Sequence, residues 1–199
     1  QGEYMARKKK KKRKQSPKKT VKLSPAAYIR KKARNLPISK CYVQSQWKDT
    51  GMSSVFVTRA HKNGNLTVGL YLVDLKCLGI KNALYQFNIP EFRLQEMLSQ
   101  SGGGSIIECD YTLAHNIIYG SKKYAEKFGF QPHKDWAVSQ YILEPDDETT
   151  PHIDIEFGDD GKPHYISGPG DDIHFINNVE RTLEKSAGKD NYLMTIMKM

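Results

Sequence analysis

Alternating apolar and polar positions give the clearest local prediction in the chain, a β-hairpin. Residues 54–59 and 66–75 are both rich in β-branched and aromatic side chains, the residues that strands favour. Between them stand Asn63 and Gly64, a dipeptide typical of two-residue hairpin turns because these residues tolerate positive φ. We therefore predict two paired strands joined at this turn.

A second stretch with period-two alternation lies at residues 151–167. Three apolar side chains alternate there with three polar ones: Ile153, Ile155 and Phe157 with His152, Asp154 and Glu156. Alternation of this kind is typical of a half-buried strand. Because residues 158–161 read Gly-Asp-Asp-Gly, we expect them to form a turn and the whole stretch to be a second hairpin.

Helical spacing predicts a long amphipathic helix over residues 110–128, ended by Gly129 as the C-terminal cap residue. Four apolar residues share one face and four polar residues share the opposite face: Leu113, Ile117, Tyr124 and Phe128 against His115, Tyr119, Lys122 and Glu126. Near the C-terminus, Ile176, Val179 and Leu183 predict another helix that begins near Asp172.

The remaining segments give shorter elements. We expect strands at 41–47 and 191–197, and helices at 79–85, 91–100 and 133–143. Taken together, the pattern predicts an α+β fold, with a largely antiparallel sheet built from two hairpins and packed with the long central helix and the C-terminal helix.

Charge divides the chain into two unequal parts. Residues 1–34 hold fifteen of the 31 Lys and Arg and one of the 22 Asp and Glu, which leaves 16 basic against 21 acidic residues in 35–199. Eight consecutive basic residues repel one another and bury nothing, so we predict that residues 1–22 form a disordered basic arm. Residues 1–4 precede Met5 and are interpreted as a cloning remnant.

A short basic helix is predicted at 23–35, with Ser24 as its N-cap and Pro25 at its first position, followed by a single α+β domain at 36–199. The helix either faces phosphates or docks on the domain through Tyr28 and Ile29. The predicted nucleic-acid-binding residues are Arg7, Lys8, Lys9, Lys10, Lys11, Lys12, Arg13, Lys14, Lys18, Lys19, Arg30, Lys31, Lys32 and Arg34.

A polyanion is the expected partner of this arm. Each Lys or Arg that neutralises a phosphate releases counterions, so we predict binding of nucleic acid that depends steeply on salt and little on sequence. RNA is preferred over DNA, with a ribosome or another protein as a possible further partner, because long basic arms on acidic bodies suit insertion into folded RNA. The alternatives are a solubilising tail, a nuclear import signal and a protein-interaction module that the arm localises.

The expected compartment is the cytoplasm. No stretch approaches the roughly 20 apolar residues of a membrane span, and no apolar segment follows the basic run as in a secretory signal. No membrane partner is expected. Cys41, Cys77 and Cys109 are odd in number and lack a CxxC pair, which suits a reducing compartment.

Whether the chain is an enzyme stays open, because the common nucleotide-binding and hydrolase motifs are missing. His115, Tyr119 and Glu126 are candidates for acid–base catalysis, although a solvated helix face explains them equally and is favoured. Arg59 is expected to pair with an acid such as Asp74 or to face phosphate.

A second enzymatic alternative is a metal-dependent nuclease or phosphoesterase that uses Asp74, Asp154 and Glu156. With His152, these carboxylates are candidate ligands for Mg²⁺ or Mn²⁺. Polar residues on a half-exposed strand are the competing interpretation. No other cofactor is expected.

Several short patterns resemble a family of uncharacterised prokaryotic cytoplasmic proteins. They are Leu36-Pro37-Ile38 with Cys41, Trp47 and Gly51; Val57-Thr58-Arg59; Tyr71-Leu72-Val73-Asp74 with Cys77-Leu78-Gly79-Ile80-Lys81; and Ile118-Tyr119-Gly120 with Tyr124-Ala125, Gly129-Phe130 and Pro132-His133. The resemblance covers most of residues 36–170. It implies a prokaryotic, cytoplasmic origin and no particular activity or functional residue.

Overall fold

The computed structural model describes residues 23–197. The helices of this part are α1 (Pro25–Lys32), α2 (Trp47–Thr50), α3 (Glu91–Gln100), α4 (Tyr111–Lys127), α5 (Trp136–Ser139) and α6 (Ile173–Ser186). The strands are β1 (Ile38–Gln44), β2 (Met52–Ala60), β3 (Leu66–Asp74), β4 (Gly79–Ile89), β5 (Ile106–Cys109), β6 (His164–Ile166) and β7 (Leu193–Thr195). The fold is α+β, as predicted from the sequence.

An antiparallel five-stranded sheet, ordered β4-β3-β2-β1-β5, forms the centre of the protein. The predicted hairpin is confirmed as β2 and β3, which pair from Met52 opposite Asp74 to Ala60 opposite Leu66. Gly64 in the turn has a φ of +82°, a conformation that costs a glycine little because it has no Cβ.

The predicted helix at 79–85 is wrong, because these residues begin the strand β4. Ala83, Tyr85 and Phe87 alternate along β4 and all pack toward the main core. β4 also pairs with β3 along most of its length, with Leu70 opposite Leu84 and Tyr71 opposite Ala83. Pairing in a sheet outweighs the local helix preference of so short a segment.

The second hairpin predicted at 151–167 is also wrong. Ile153, Ile155 and Phe157 are half-buried and the polar residues between them are exposed, so the alternation itself is correct. Residues 152–157 nevertheless form no strand and lie against α4. The side chain of Asn116 in α4 accepts from the Ile153 amide at 3.0 Å and donates to the Pro151 carbonyl at 2.9 Å.

The two faces of the sheet are covered by different helices. On one face, side chains of β1 to β4 pack with residues of α1, α4 and α5 into the main core, which includes Val55, Val57, Tyr71, Ile117 and Trp136. On the other face, Tyr42, Phe56 and Val68 pack against Leu94 of α3. Val55, Phe56 and Val57 alternate between the two cores, as the period of a strand requires.

The long central helix is confirmed as α4, and the C-terminal helix as α6. Asp110 precedes α4, and Gly129, with a φ of +86°, follows its end. The helix predicted at 133–143 consists of α5 and the 3-10 turn Gln140–Ile142.

A smaller unit is formed by β6, α6 and β7. Its two strands pair in parallel, with Tyr165 opposite Met194, and α6 is the connection between them. Ile176, Val179 and Leu183 of α6 are buried, as predicted, in a separate core cluster with Tyr165 and Leu78. Leu78 belongs to the turn between β3 and β4, so this turn joins the smaller unit to the main sheet.

Candidate nucleic-acid interface

The basic helix predicted next to the arm is α1, and it is anchored in the main core. Ser24 Oγ accepts from the Ala27 amide, and Pro25 occupies the first turn, as the sequence predicts. Ile29 is fully buried, as is Ala33 in the following 3-10 turn, Ala33–Asn35. The helix is therefore docked on the domain, and its orientation relative to the sheet is fixed by buried contacts.

Docking leaves three of the four predicted cations of this segment exposed. Arg30, Lys31 and Lys32 are exposed, whereas Arg34 is half-buried. Arg34 Nε donates to the Leu143 carbonyl at 2.8 Å, and its guanidinium lies 5.2 Å from the centre of the Tyr141 ring. Arg34 thus belongs to the packing of α1. The other three cations stay exposed to a polyanion, and Arg30 Nε also donates to the Ala137 carbonyl at 3.5 Å.

Arg59 secures the same region from inside the protein. Its side chain is 1% exposed, and it donates to the carbonyls of Ile142 and Leu36, both at 2.6 Å. It also forms an ion pair with Glu144 at 2.8 Å. Of the two roles expected for Arg59, pairing with an acid is confirmed, although the acid is Glu144 and not Asp74. The alternative, a phosphate contact, is wrong, because the guanidinium is buried.

The predicted binding residues of the arm lie outside the described residues. They are Arg7, Lys8, Lys9, Lys10, Lys11, Lys12, Arg13, Lys14, Lys18 and Lys19. The chain enters the described part at Leu23, so the basic run is joined covalently to the N-terminal end of α1, and the three exposed cations lie in the last turn of the same helix.

A cluster of three half-buried aromatic rings lies beside α1 and was not predicted from the sequence. Tyr28 of α1 lies 4.8 Å from Phe87 of β4, and His61, after β2, lies 5.5 Å from Phe87 and 5.9 Å from Tyr28, all measured between ring centres. The three residues come from distant parts of the chain. Without the strand β4, the sequence offers no signal that Phe87 reaches the other two.

The sequence predicts that the helix face carrying His115 and Tyr119 is solvated, and this prediction is wrong. Both residues are buried, and their rings lie 4.6 Å apart. His115 Nε2 donates to the Pro145 carbonyl and Tyr119 Oη donates to the Glu144 carbonyl, both at 3.3 Å. The loop after α5 covers this side of α4, which explains why one apolar face did not account for all of the buried residues.

Burial also sets the protonation of this pair. It lowers the pKa of His115 and raises the pKa of Tyr119 to about 12, since each environment disfavours the charged form. Glu126, the third candidate, forms an exposed pair with Lys122 at 2.7 Å. It stands eleven residues along the helix from His115, about 16 Å at 1.5 Å per residue. The structure therefore does not bring Glu126 together with the other two, and an acid–base role stays a prediction.

A cavity of about 540 Å³ adjoins His115 and Tyr119. Lys123, Asp146 and His152 also line it, and Lys123 pairs with Asp146 at 2.8 Å. His152, one of the candidate metal ligands, thus faces a different cavity from Asp154 and Glu156, which line one of about 420 Å³ with Lys48 and Lys76.

Asp74, the remaining candidate metal ligand, stabilises the turn between β3 and β4. Its carboxylate accepts from the amides of Lys76, Cys77 and Leu78 at 2.9–3.1 Å. Burial raises the pKa of Asp74, and these three hydrogen bonds oppose that rise. Within residues 23–197, no group of three or more His, Cys, Asp or Glu side chains is arranged to hold a metal ion. The nuclease alternative stays a prediction for which the described residues supply no assembled ligand set.

A hydrogen-bonded chain of Asp159, His164 and Thr195 was missed in the sequence. His164 Nδ1 lies 2.5 Å from Asp159 Oδ2, and His164 Nε2 lies 2.8 Å from Thr195 Oγ1. The hydrogen bond from His164 is the largest of the contacts that lower the pKa of Asp159, and Lys76 adds to it at 3.4 Å. The turn at 158–161 indicates that Asp159 and His164 are close, but Thr195 joins them only through the parallel pairing of β6 and β7.

No protein-family model, no curated protein and no solved structure matches the chain. The resemblance to uncharacterised prokaryotic proteins stays a prediction. Among the helices of the described residues, none combines the length and the apolar character needed to cross a bilayer.

Proposed function

We propose that the protein binds nucleic acid, and RNA in preference to DNA, through the basic arm and the exposed cations of α1. The support begins with the distribution of charge. Fifteen Lys and Arg stand in residues 1–34 beside a single acid, whereas residues 35–199 carry 16 basic and 21 acidic residues. Such a separation favours a polyanion held at one end of the protein.

The single observation that carries the proposal is the packing of α1 against the core of the domain. Ile29 and Ala33 bury one side of this segment in the core, so Arg30, Lys31 and Lys32 project from a rigid element. Cations on a fixed helix can make phosphate contacts without the entropy that a free segment loses when it is ordered. We infer that α1 positions the nucleic acid and that the arm adds phosphate contacts.

The acidic body supports a small area of contact. A surface with an excess of carboxylates repels phosphates, so nucleic acid is expected to lie along the arm and α1 and to leave the rest of the domain free. Folded RNA, such as that of a ribosome, suits this geometry because an arm can follow its phosphates between helices. We propose that the protein acts in the cytoplasm, where such RNA is found.

The test is a titration of the full chain against a fluorescein-labelled single-stranded RNA at four salt concentrations. Wild-type affinity should fall linearly with salt on logarithmic axes, with a slope of about 0.7 per phosphate contacted. Replacing the five lysines at 8–12 with Gln should lower the slope. The triple variant Arg30→Gln, Lys31→Gln, Lys32→Gln should lower it by up to about 2.

A matched control is available on and near α6. Arg181, Lys185 and Lys189 are also exposed, and replacing them with Gln changes the net charge by the same amount as the α1 triple variant. This control should leave the slope of the wild type in place. Salt-independent binding, or equal effects of the α1 and α6 variants, would show that contact is not made through α1. Absence of binding at low salt would overturn the proposed function altogether.

A further inference from the structure

We propose that Tyr28, His61 and Phe87 form a stacking site for an unpaired base, so that the protein selects single-stranded over double-stranded nucleic acid. This inference rests on the proposed function and names the class of nucleic acid that the interface takes. It starts from the three rings themselves, which converge within 6 Å of one another from α1, the β2–β3 turn and β4 and stay half-buried.

The rings are held in place by their neighbours. His61 Nε2 lies 2.7 Å from Thr67 Oγ1, which fixes the imidazole at the end of the hairpin. Asn88, directly after Phe87, has a φ of +55°, and its carbonyl accepts from the Asn65 side chain at 2.9 Å. These contacts fix the imidazole and the backbone beside Phe87, so a ligand that stacks there meets little loss of side-chain freedom.

Burial lowers the pKa of His61, so its imidazole is neutral at neutral pH. A neutral ring is a poor partner for a phosphate, whereas its flat face can contact a base. Tyr28 and Phe87 offer the same kind of surface. Aromatic faces of this type bind the bases of single strands with little regard to sequence, because every base has a π-face.

The charges around the cluster complement a nucleic acid. Lys31 and Lys32 stand three and four residues after Tyr28, on the same side of the helix, and Lys62 follows His61. All three lysines are exposed. The segments that build the cluster, residues 23–35, 59–73 and 79–90, contain no Asp or Glu, although the body as a whole is acidic. Phosphates flanking a stacked base would therefore meet cations and no nearby carboxylate of these segments.

Base stacking would allow the protein to distinguish single strands from duplexes, which phosphate contacts of the arm alone do not achieve. Counterion release does not distinguish a single strand from a duplex on the basis of its bases, because it involves the phosphates. In a duplex the bases already stack on one another, so an aromatic surface gains nothing from them unless the duplex opens. A cluster of rings beside a row of cations adds this discrimination.

The experiment uses the full chain and two labelled RNAs, a ten-nucleotide single strand of uridines and a duplex of the same length. Tyr28→Leu and Phe87→Leu keep apolar volume and remove an aromatic face. Each should weaken binding of the single strand by about 5- to 150-fold, the range expected for loss of one stacked base. Duplex affinity and the salt slope should stay within twofold of wild type. Tyr28→Phe should bind the single strand like the wild type.

Phe92→Leu is the matched control, since Phe92 lies on α3 and is 62% exposed. It should leave both affinities unchanged. A single strand that carries 2-aminopurine provides a test without any variant, because stacking on an aromatic ring quenches its fluorescence. Quenching on addition of the wild type supports the site.

Three results would overturn the inference: no quenching, equal losses for single strand and duplex, or full single-strand affinity in both Leu variants. If the wild type binds both RNAs with a salt slope and only the stacking tests fail, the proposed function stands without this site. If the wild type binds neither RNA, both proposals fail.

Discussion

Replacing Arg59 with methionine tests how the basic helix is fixed to the sheet. The guanidinium joins three parts of the chain, since it donates to the carbonyls of Leu36 and Ile142 and pairs with Glu144. Leu36 directly follows the 3-10 turn after α1, and Ile142 ends the segment on which α1 packs. Methionine keeps an unbranched buried chain and removes every one of these donors.

The expected loss of stability follows from the two carbonyl bonds. A hydrogen bond from a charged donor contributes about 1.5–3 kcal/mol net, so two of them amount to roughly 3–6 kcal/mol. Methionine recovers a part of this, because burying a charge costs several kcal/mol in real proteins. Set against the 3–6 kcal/mol, this recovery leaves an expected loss of about 1–4 kcal/mol, and Glu144, which is 37% exposed, adds little because it stays solvated.

The measurement is urea unfolding at pH 7, followed by the fluorescence of Trp47 and Trp136, with linear extrapolation to water. Glu144→Gln is the comparison, because the Glu144 side chain is 37% exposed and the variant keeps an acceptor oxygen. It should cost at most about 1 kcal/mol. A loss below about 1 kcal/mol for Arg59→Met would refute the calculation. An equal loss for Glu144→Gln would show that the ion pair, rather than the carbonyl bonds, stabilises this region.

Three further predictions concern α4 and the segment that covers it. Ile117→Ala should cost about 2–5 kcal/mol in urea unfolding and Ile155→Ala clearly less, because Ile117 is fully buried and Ile155 only partly; equal losses would contradict this assignment of burial. Gly120→Ala should destabilise the wild type by about 1 kcal/mol, because the added Cβ would meet the Phe157 ring. In the Phe157→Ala protein the same change should stabilise by about 0.5–1 kcal/mol, as Gly to Ala normally does in a helix. The same sign in both proteins would exclude this contact. Because the pKa of His115 is lowered in the folded protein, the unfolded chain takes up a proton at higher pH than the folded protein does. Wild-type stability should therefore decrease as pH falls below about 6.5, and more between pH 7 and pH 5 than that of His115→Gln; parallel pH profiles would refute this.

The sequence predicted the elements whose signal is local. The β2–β3 hairpin follows from Asn63-Gly64, and α1 and α4 follow from their caps and spacing. The sequence did not predict β4, because residues 79–85 carry only a short local signal and form a strand through their pairing with β3.

The errors in the candidate site have the same origin. His115 and Tyr119 were placed in solvent because helical spacing identifies one apolar face and gives no information on a loop that covers another. For Arg59 the sequence does not decide between an ion pair and a phosphate contact, since its carbonyl acceptors at Leu36 and Ile142 lie 23 and 83 residues away in the chain. The aromatic cluster likewise depends on β4, which brings Phe87 beside Tyr28 and His61, so the local sequence does not predict it.

The smaller unit of β6, α6 and β7 has a consequence for how the protein opens. Its core cluster is separate from the main one, and its sheet consists of three residues paired with three. Regions with little buried area and few ladder hydrogen bonds open at a lower free energy than a central sheet. Amide hydrogen exchange should therefore reveal two cooperative units, with β6, α6 and β7 exchanging as a group through a partial opening. The amides of β2 and β3 should exchange only when the whole chain unfolds, and α1, which shares their core, should be protected with them.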